Sequence, residues 1–102
     1  MRINGISNYL YKKGKKDLDE LKVDKSKKGV LKAVVKSIKF LAQNPRHPGL
    51  KTHQYHSIPK IYPGQKVREA YAQDRTPVAY RIFWCYGPGK GQITIIAITP
   101  HP

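Results

Sequence analysis

The sequence predicts an α+β fold, with helices packed on a small antiparallel β-sheet, and three observations carry that expectation. Between Ser26 and the Asn44-Pro45 step, Val30, Leu31, Val34, Val35, Ile38 and Leu41 recur at helical spacing. Residues 78–86 and 92–99 are apolar runs rich in Ile, Tyr, Phe, Trp and Thr, joined through Gly87-Pro88-Gly89-Lys90-Gly91. Residues 66–72 supply a third run of strand character.

In chain order, residues 1–11 fit neither period and read as an edge strand or an ordered arm. The lysine-rich stretch 12–28 carries Asp17, Leu18, Asp19, Glu20 and Leu21, enough for a short helix around 16–21. Ser26 then suits the N-cap of the main helix, and Pro45 ends it by pushing Asn44 toward an extended conformation. Residues 45–63 are loop-like, with a short strand near 51–57 and three histidines, His47, His53 and His56. The His53-x-x-His56 spacing lacks a cysteine or carboxylate to complete a metal shell, so no metal is expected. Pro59, Pro63 and Gly64 turn the chain into the strand at Lys66. Gly87–Gly91 is a turn; it lacks the spacing of a phosphate-binding loop.

One hundred and two residues bound the chain to a single domain, 1–102, with one modest core. The net charge of +14 favours a polyanionic partner. Residues 1–51 hold fourteen Lys and Arg against four acids, and residues 52–102 hold six against two, so the field is strongest in the first half. The single cysteine, Cys85, excludes an intrachain disulfide and fits a reducing cytoplasm; within an apolar strand it reads as a small core residue. No signal-peptide pattern is visible, and no apolar run approaches the length of a membrane span.

The last three strands also predict a site. Closing the hairpin at Tyr86 and Gln92 sets Arg81 opposite Ala97 and carries His101 onto the same face. Closing 66–72 on 78–86 across a five-residue turn sets Glu69 opposite Arg81. Glu69, Arg81 and His101 then share one face, a mix of base, cation and acid that suits cleavage of a phosphodiester without a metal or other cofactor. The competing structural reading is a cross-strand Glu69–Arg81 ion pair beside a loose terminus. Lys27, Lys28, Lys51, His53, His56, Lys66 and Arg68 are the candidate RNA-binding residues, set against the plainer reading of a solvated basic face.

Taken together, Asn44-Pro45 with Pro48-Gly49-Leu50-Lys51, the strand holding Val67-x-Glu69-Ala70-Tyr71, Tyr80-Arg81-Ile82, and the apolar terminal strand with its polar end resemble the RelE/ParE toxin family. The resemblance covers roughly residues 12–102. It implies a helical hairpin on a small antiparallel sheet, a cytoplasmic toxin of a type II toxin–antitoxin module, and a cognate acidic antitoxin as partner. RelE-like members cut messenger RNA on the ribosome without a metal; ParE-like members inhibit DNA gyrase. Arg81 matches the arginine that the nucleases set against the scissile phosphate, and His101 falls where some carry a functional histidine or arginine. Glu69 departs from the family, which places lysines in that strand, so a different base is needed. Three classes therefore stand: ribosome-dependent endoribonuclease, gyrase inhibitor without chemistry, and inactive basic nucleic-acid-binding module.

Overall fold

The computed structural model describes residues 2–3, 8–55, 66–74 and 76–100. A ribbon of β1 (Arg2–Ile3) and β2 (Asn8–Leu10) leads into α1 (Lys12–Val23), a 3-10 turn over Lys25–Lys27 and α2 (Lys28–Gln43). A second 3-10 turn (Pro48–Leu50) precedes β3 (His53–Tyr55), β4 (Val67–Tyr71), β5 (Tyr80–Tyr86) and β6 (Ile93–Pro100). The six strands form one sheet in the order β1-β2-β6-β5-β4-β3. Neighbours are antiparallel except β2 and β6, which run parallel. β1 forms one edge of the sheet, and β2 encloses β6 within it.

α1 is longer than its apolar residues alone predict. Lys13 donates to Asp17 at 2.8 Å and Lys15 to Asp19 at 2.8 Å, i,i+4 pairs that support the polar face. Asp17 also accepts from the amide of Ile98 at 2.9 Å, tying the helix to β6. Gly14 allows this approach, since a Cβ there would stand 2.6 Å from the carbonyl oxygen of Ile95. Ser26 does not cap α2. It lies within the 3-10 turn, where Asp24 accepts from both its amide (3.0 Å) and its hydroxyl (2.6 Å). Those hydrogen bonds hold the Asp24 carboxyl below its ordinary value.

Val34, Ile38 and Leu41 of α2 and Leu18 and Leu21 of α1 pack on Ala70, Ile82, Trp84, Ile93, Ile95 and Ile98. Leu31 joins that core half-buried, whereas Val35 lies outside it. On the other face of the sheet Val67, Phe83, Cys85, Ile96 and Ala97 form a second cluster with Tyr55 against it. Ile95 and Ile96 face opposite sides of the sheet by strand alternation, and a bulge in β6, where Trp84 pairs with Ile95 and Phe83 with Ala97, puts Ala97 beside Ile96 and returns Ile98 to the helix side. Both faces of β5 and β6 are therefore covered, which explains their near-continuous apolar sequence.

The registers differ from those expected. Arg81 pairs with Thr99, not Ala97, and Glu69 pairs with Phe83, not Arg81. In the β5–β6 hairpin Tyr86 pairs with Ile93, not Gln92, which shifts the register by one residue, and the bulge adds a second. The other cause is Val78, which takes φ +54 in an exposed turn, so that β5 begins only at Tyr80. The Arg81 and Glu69 pairings are each shifted by two residues, and an even shift leaves both side chains on the face expected. No helix among the described residues is long and apolar enough to cross a membrane.

Candidate functional site

Period-two alternation aims Val67, Glu69 and Tyr71 of β4 away from the helices, with Arg81, Phe83 and Cys85 of β5 beside them. β3 completes the face, because His53 stands directly opposite Glu69. His53 Nε2 lies 2.7 Å from Glu69 Oε1, and its Nδ1 lies 3.2 Å from the carbonyl oxygen of Lys51. The imidazole is half exposed while the Glu69 side chain is 4% exposed. A carboxylate so deeply placed requires a compensating charge or hydrogen bonds.

Arg81 supplies part of that compensation. Its Nε lies 3.7 Å from Glu69 Oε2, close enough for an ion pair and too far for a hydrogen bond. Glu69 Oε2 and Arg81 Nε are accordingly among the buried polar atoms without a hydrogen-bond partner. Nη1 of Arg81 donates to the carbonyl of Gln73 at 2.6 Å, and the guanidinium sits 3.7 Å from the centre of the Tyr71 ring. Gln73 holds the turn in place as well, its side-chain oxygen accepting from the amide of Tyr80 at 3.1 Å.

Lys51 stands at the rim in a left-handed backbone conformation, φ +48, with its ammonium on Asp74 and 5.9 Å from the Tyr71 ring centre. His53 packs edge-on against the same ring at 5.9 Å. Tyr71 therefore lies among three basic side chains. The site consists of a buried carboxylate, a half-exposed imidazole, a buried guanidinium and an exposed ammonium around one aromatic ring.

Of the residues singled out from sequence, Glu69, Arg81, His53 and Lys51 come together here. His101 and His56 lie outside the described residues. Lys66 is exposed just before β4. Arg68 projects from the opposite face of the sheet, over the rings of Trp84 and Tyr86. Lys27 and Lys28 lie away from Glu69 on the helical side; Lys27 stands 5.6 Å from the Tyr80 ring centre and Lys28 is exposed at the start of α2. Sequence reasoning placed His53 in a diffuse basic surface and missed its pairing with Glu69. The only available signal was the strand character around His53, which permits an antiparallel pairing with 66–72. Among the described residues no three His, Cys, Asp or Glu side chains come together as a metal-binding group.

The sequence matches no protein-family model and no curated relative. In fold the chain is similar to the crystal structure of a copper-bound point mutant of a toxin from Helicobacter pylori. The superposition has a TM-score of 0.60 at 18% identity and covers 95% of this chain and 96% of that one. At that identity the likeness is one of fold: two helices on a sheet, aligned over nearly the whole of both chains.

Proposed function

We propose that this chain is the toxin of a type II toxin–antitoxin module and that it cuts messenger RNA on the ribosome without a metal. One observation carries the reading: a half-exposed imidazole lies 2.7 Å from a buried carboxylate, beside a guanidinium, in a strongly basic domain. The full-length likeness in fold to a toxin supports the toxin part of it, as does the resemblance to RelE/ParE proteins in the order of the sequence motifs.

Burial changes the role of Glu69. At 3% exposure it is a positioning residue, and the exposed His53 is the group that meets substrate. Glu69 at Nε2 orients the ring, in the manner of a carboxylate orienting a catalytic imidazole, and the substrate hydroxyl must displace the Lys51 carbonyl to reach Nδ1. The 2′-hydroxyl of the message gives its proton to His53, and its oxygen bonds to phosphorus. The bond to the 5′-oxygen breaks, and that oxygen takes a proton from the acid, for which His101 remains the candidate. The products are a 2′,3′-cyclic phosphate and a 5′-hydroxyl end. Arg81 and Lys51 supply positive potential to the crowded phosphate. An acidic antitoxin is the expected partner, neutralising the basic surface.

The test is incubation of the purified protein with ribosomes and message, with the ends mapped by primer extension. Discrete cuts that vanish in Arg81→Ala are expected. Intact message together with inhibition of gyrase supercoiling would overturn the reading in favour of a ParE-like inhibitor.

A further inference from the structure

On the helix-bearing side of the sheet, a cleft of about 410 Å³ opens between the loop after α2 and the strands β4 and β5. Its walls include Arg46, His47, Thr52, Arg68, Trp84 and Tyr86, and no carboxylate lines it among the described residues. Two of these side chains hold polar atoms that are buried and lack any partner, Trp84 Nε1 and Thr52 Oγ1. Trp84 is wholly buried, and an indole N–H has no function but to donate. A buried donor without an acceptor is rare in a folded protein and requires an explanation.

The rest of the wall has the same polarity. His47 stacks on Phe40 at 4.3 Å, and its Nδ1 accepts from the amide of Gly49 at 3.0 Å. The ring proton is thereby directed to Nε2, so that this histidine also offers a donor. Arg46 and Arg68 add permanent cations. At the mouth Tyr86 is 44% exposed, and the Arg68 guanidinium lies 4.7 Å from its ring centre, a flat cationic and aromatic surface. Such a surface suits a stacked base.

We propose that this cleft is a nucleotide-binding site, taking a phosphate against Arg46, Arg68 and the unpartnered donors while the base stacks at Arg68 and Tyr86. The sheet separates it from Glu69 and Arg81, and of the residues named in the ribonuclease mechanism Lys51 alone also lines it; its occupancy does not depend on that reading. The phosphate belongs either to a free mononucleotide or to a strand of RNA. Arg68 is the long side chain at the mouth whose movement admits the phosphate to the Trp84 indole.

Trp84 is the only tryptophan in the chain, so its indole N–H gives a single signal in a nitrogen-15 correlation spectrum. The experiment titrates that signal with inorganic phosphate, with adenosine monophosphate and with a 2′-O-methyl RNA tetramer, which cannot be cleaved. A saturable shift is expected, weakened at least tenfold in Arg68→Gln and in Arg46→Gln, the latter on an exposed loop where the fold is not at risk. Saturation by phosphate and mononucleotide assigns the site to free nucleotides; saturation by the tetramer alone assigns it to RNA. His53→Gln, which removes cleavage under the proposed mechanism, leaves the titration intact. A signal unmoved by all three probes, or a shift that survives both arginine substitutions, would overturn the proposal.

Discussion

His53 Nε2 lies 2.7 Å from Glu69 Oε1 across the β3–β4 pairing, and the two groups meet opposite surroundings, one half exposed and the other 4% exposed. Their substitutions should therefore differ in kind. His53→Gln should lower cleavage by roughly 10²–10⁴-fold, the range of a lost acid–base group. Glu69→Gln should lower it less, because it loosens the orientation of the imidazole without removing it. A loss as large as that of His53→Gln would exclude the positioning role. His101→Gln should match His53→Gln in size; full activity there would place the acid elsewhere, with Tyr71 the next group to test.

Arg81→Ala should abolish cleavage on ribosome-bound message while leaving the circular dichroism spectrum native. It should also cost roughly 1–3 kcal/mol in denaturant unfolding. The variant strips the Gln73 carbonyl of its 2.6 Å donor and the buried Glu69 of its neighbouring cation. Native stability would show that the guanidinium is not structurally engaged.

Leu41 has no exposed surface and lies in the helix–sheet core. Leu41→Ala should cost roughly 2–5 kcal/mol by urea unfolding, the transfer of its side chain plus the cavity left behind. A cost below about half a kcal/mol would contradict the packing described.

RNA binding should weaken steeply with salt, because Lys and Arg release counterions from the phosphate backbone. Lys27→Glu with Lys28→Glu should weaken binding and flatten the log–log slope by about 1–2, as expected when one or two phosphate contacts are lost. A slope equal to the parent's would show that this part of the surface does not face nucleic acid.

Burial pushes the Cys85 thiol up, opposed in part by the Arg68 charge. Since the unfolded chain gives up that proton more readily, this residue leaves stability unchanged below its ordinary value of 9.0 and lowers it as the pH rises beyond. Native protein at pH 8 should not react with a disulfide reagent within the time that denatured protein reacts fully. Rapid labelling of the native state would show that the second cluster opens readily.

The helical stripe of α2 and the runs at β4, β5 and β6 were legible because hydrophobic period alone decides them. Even the face shared by Glu69 and Arg81 was legible, since the β4–β5 register error was of two residues and preserved parity. The bulge at Ile96 and the left-handed turn at Val78 were not, because nothing in the local composition marks either. Pairing of His53 with Glu69 joins segments separated in the sequence by Pro59, Pro63 and Gly64, and a stretch punctuated in that way carries no register signal. Arg68 shows the limit of grouping residues by charge: it neighbours Glu69 in the chain yet stands on the other side of the sheet.

β6 lies between β2 and β5, and the Asp17–Ile98 hydrogen bond spans 81 residues. Seating that strand requires the two ends of the chain to find each other, an encounter whose entropic cost precedes any contact that rewards it. Refolding should accordingly proceed in two stages: hydrogen-exchange protection of α2 and the β5–β6 hairpin appears early, and that of β2 and the inner edge of β6 last. Until then the inner edge of β6 is an unpaired strand edge, and it is through this edge that concentrated refolding mixtures should aggregate.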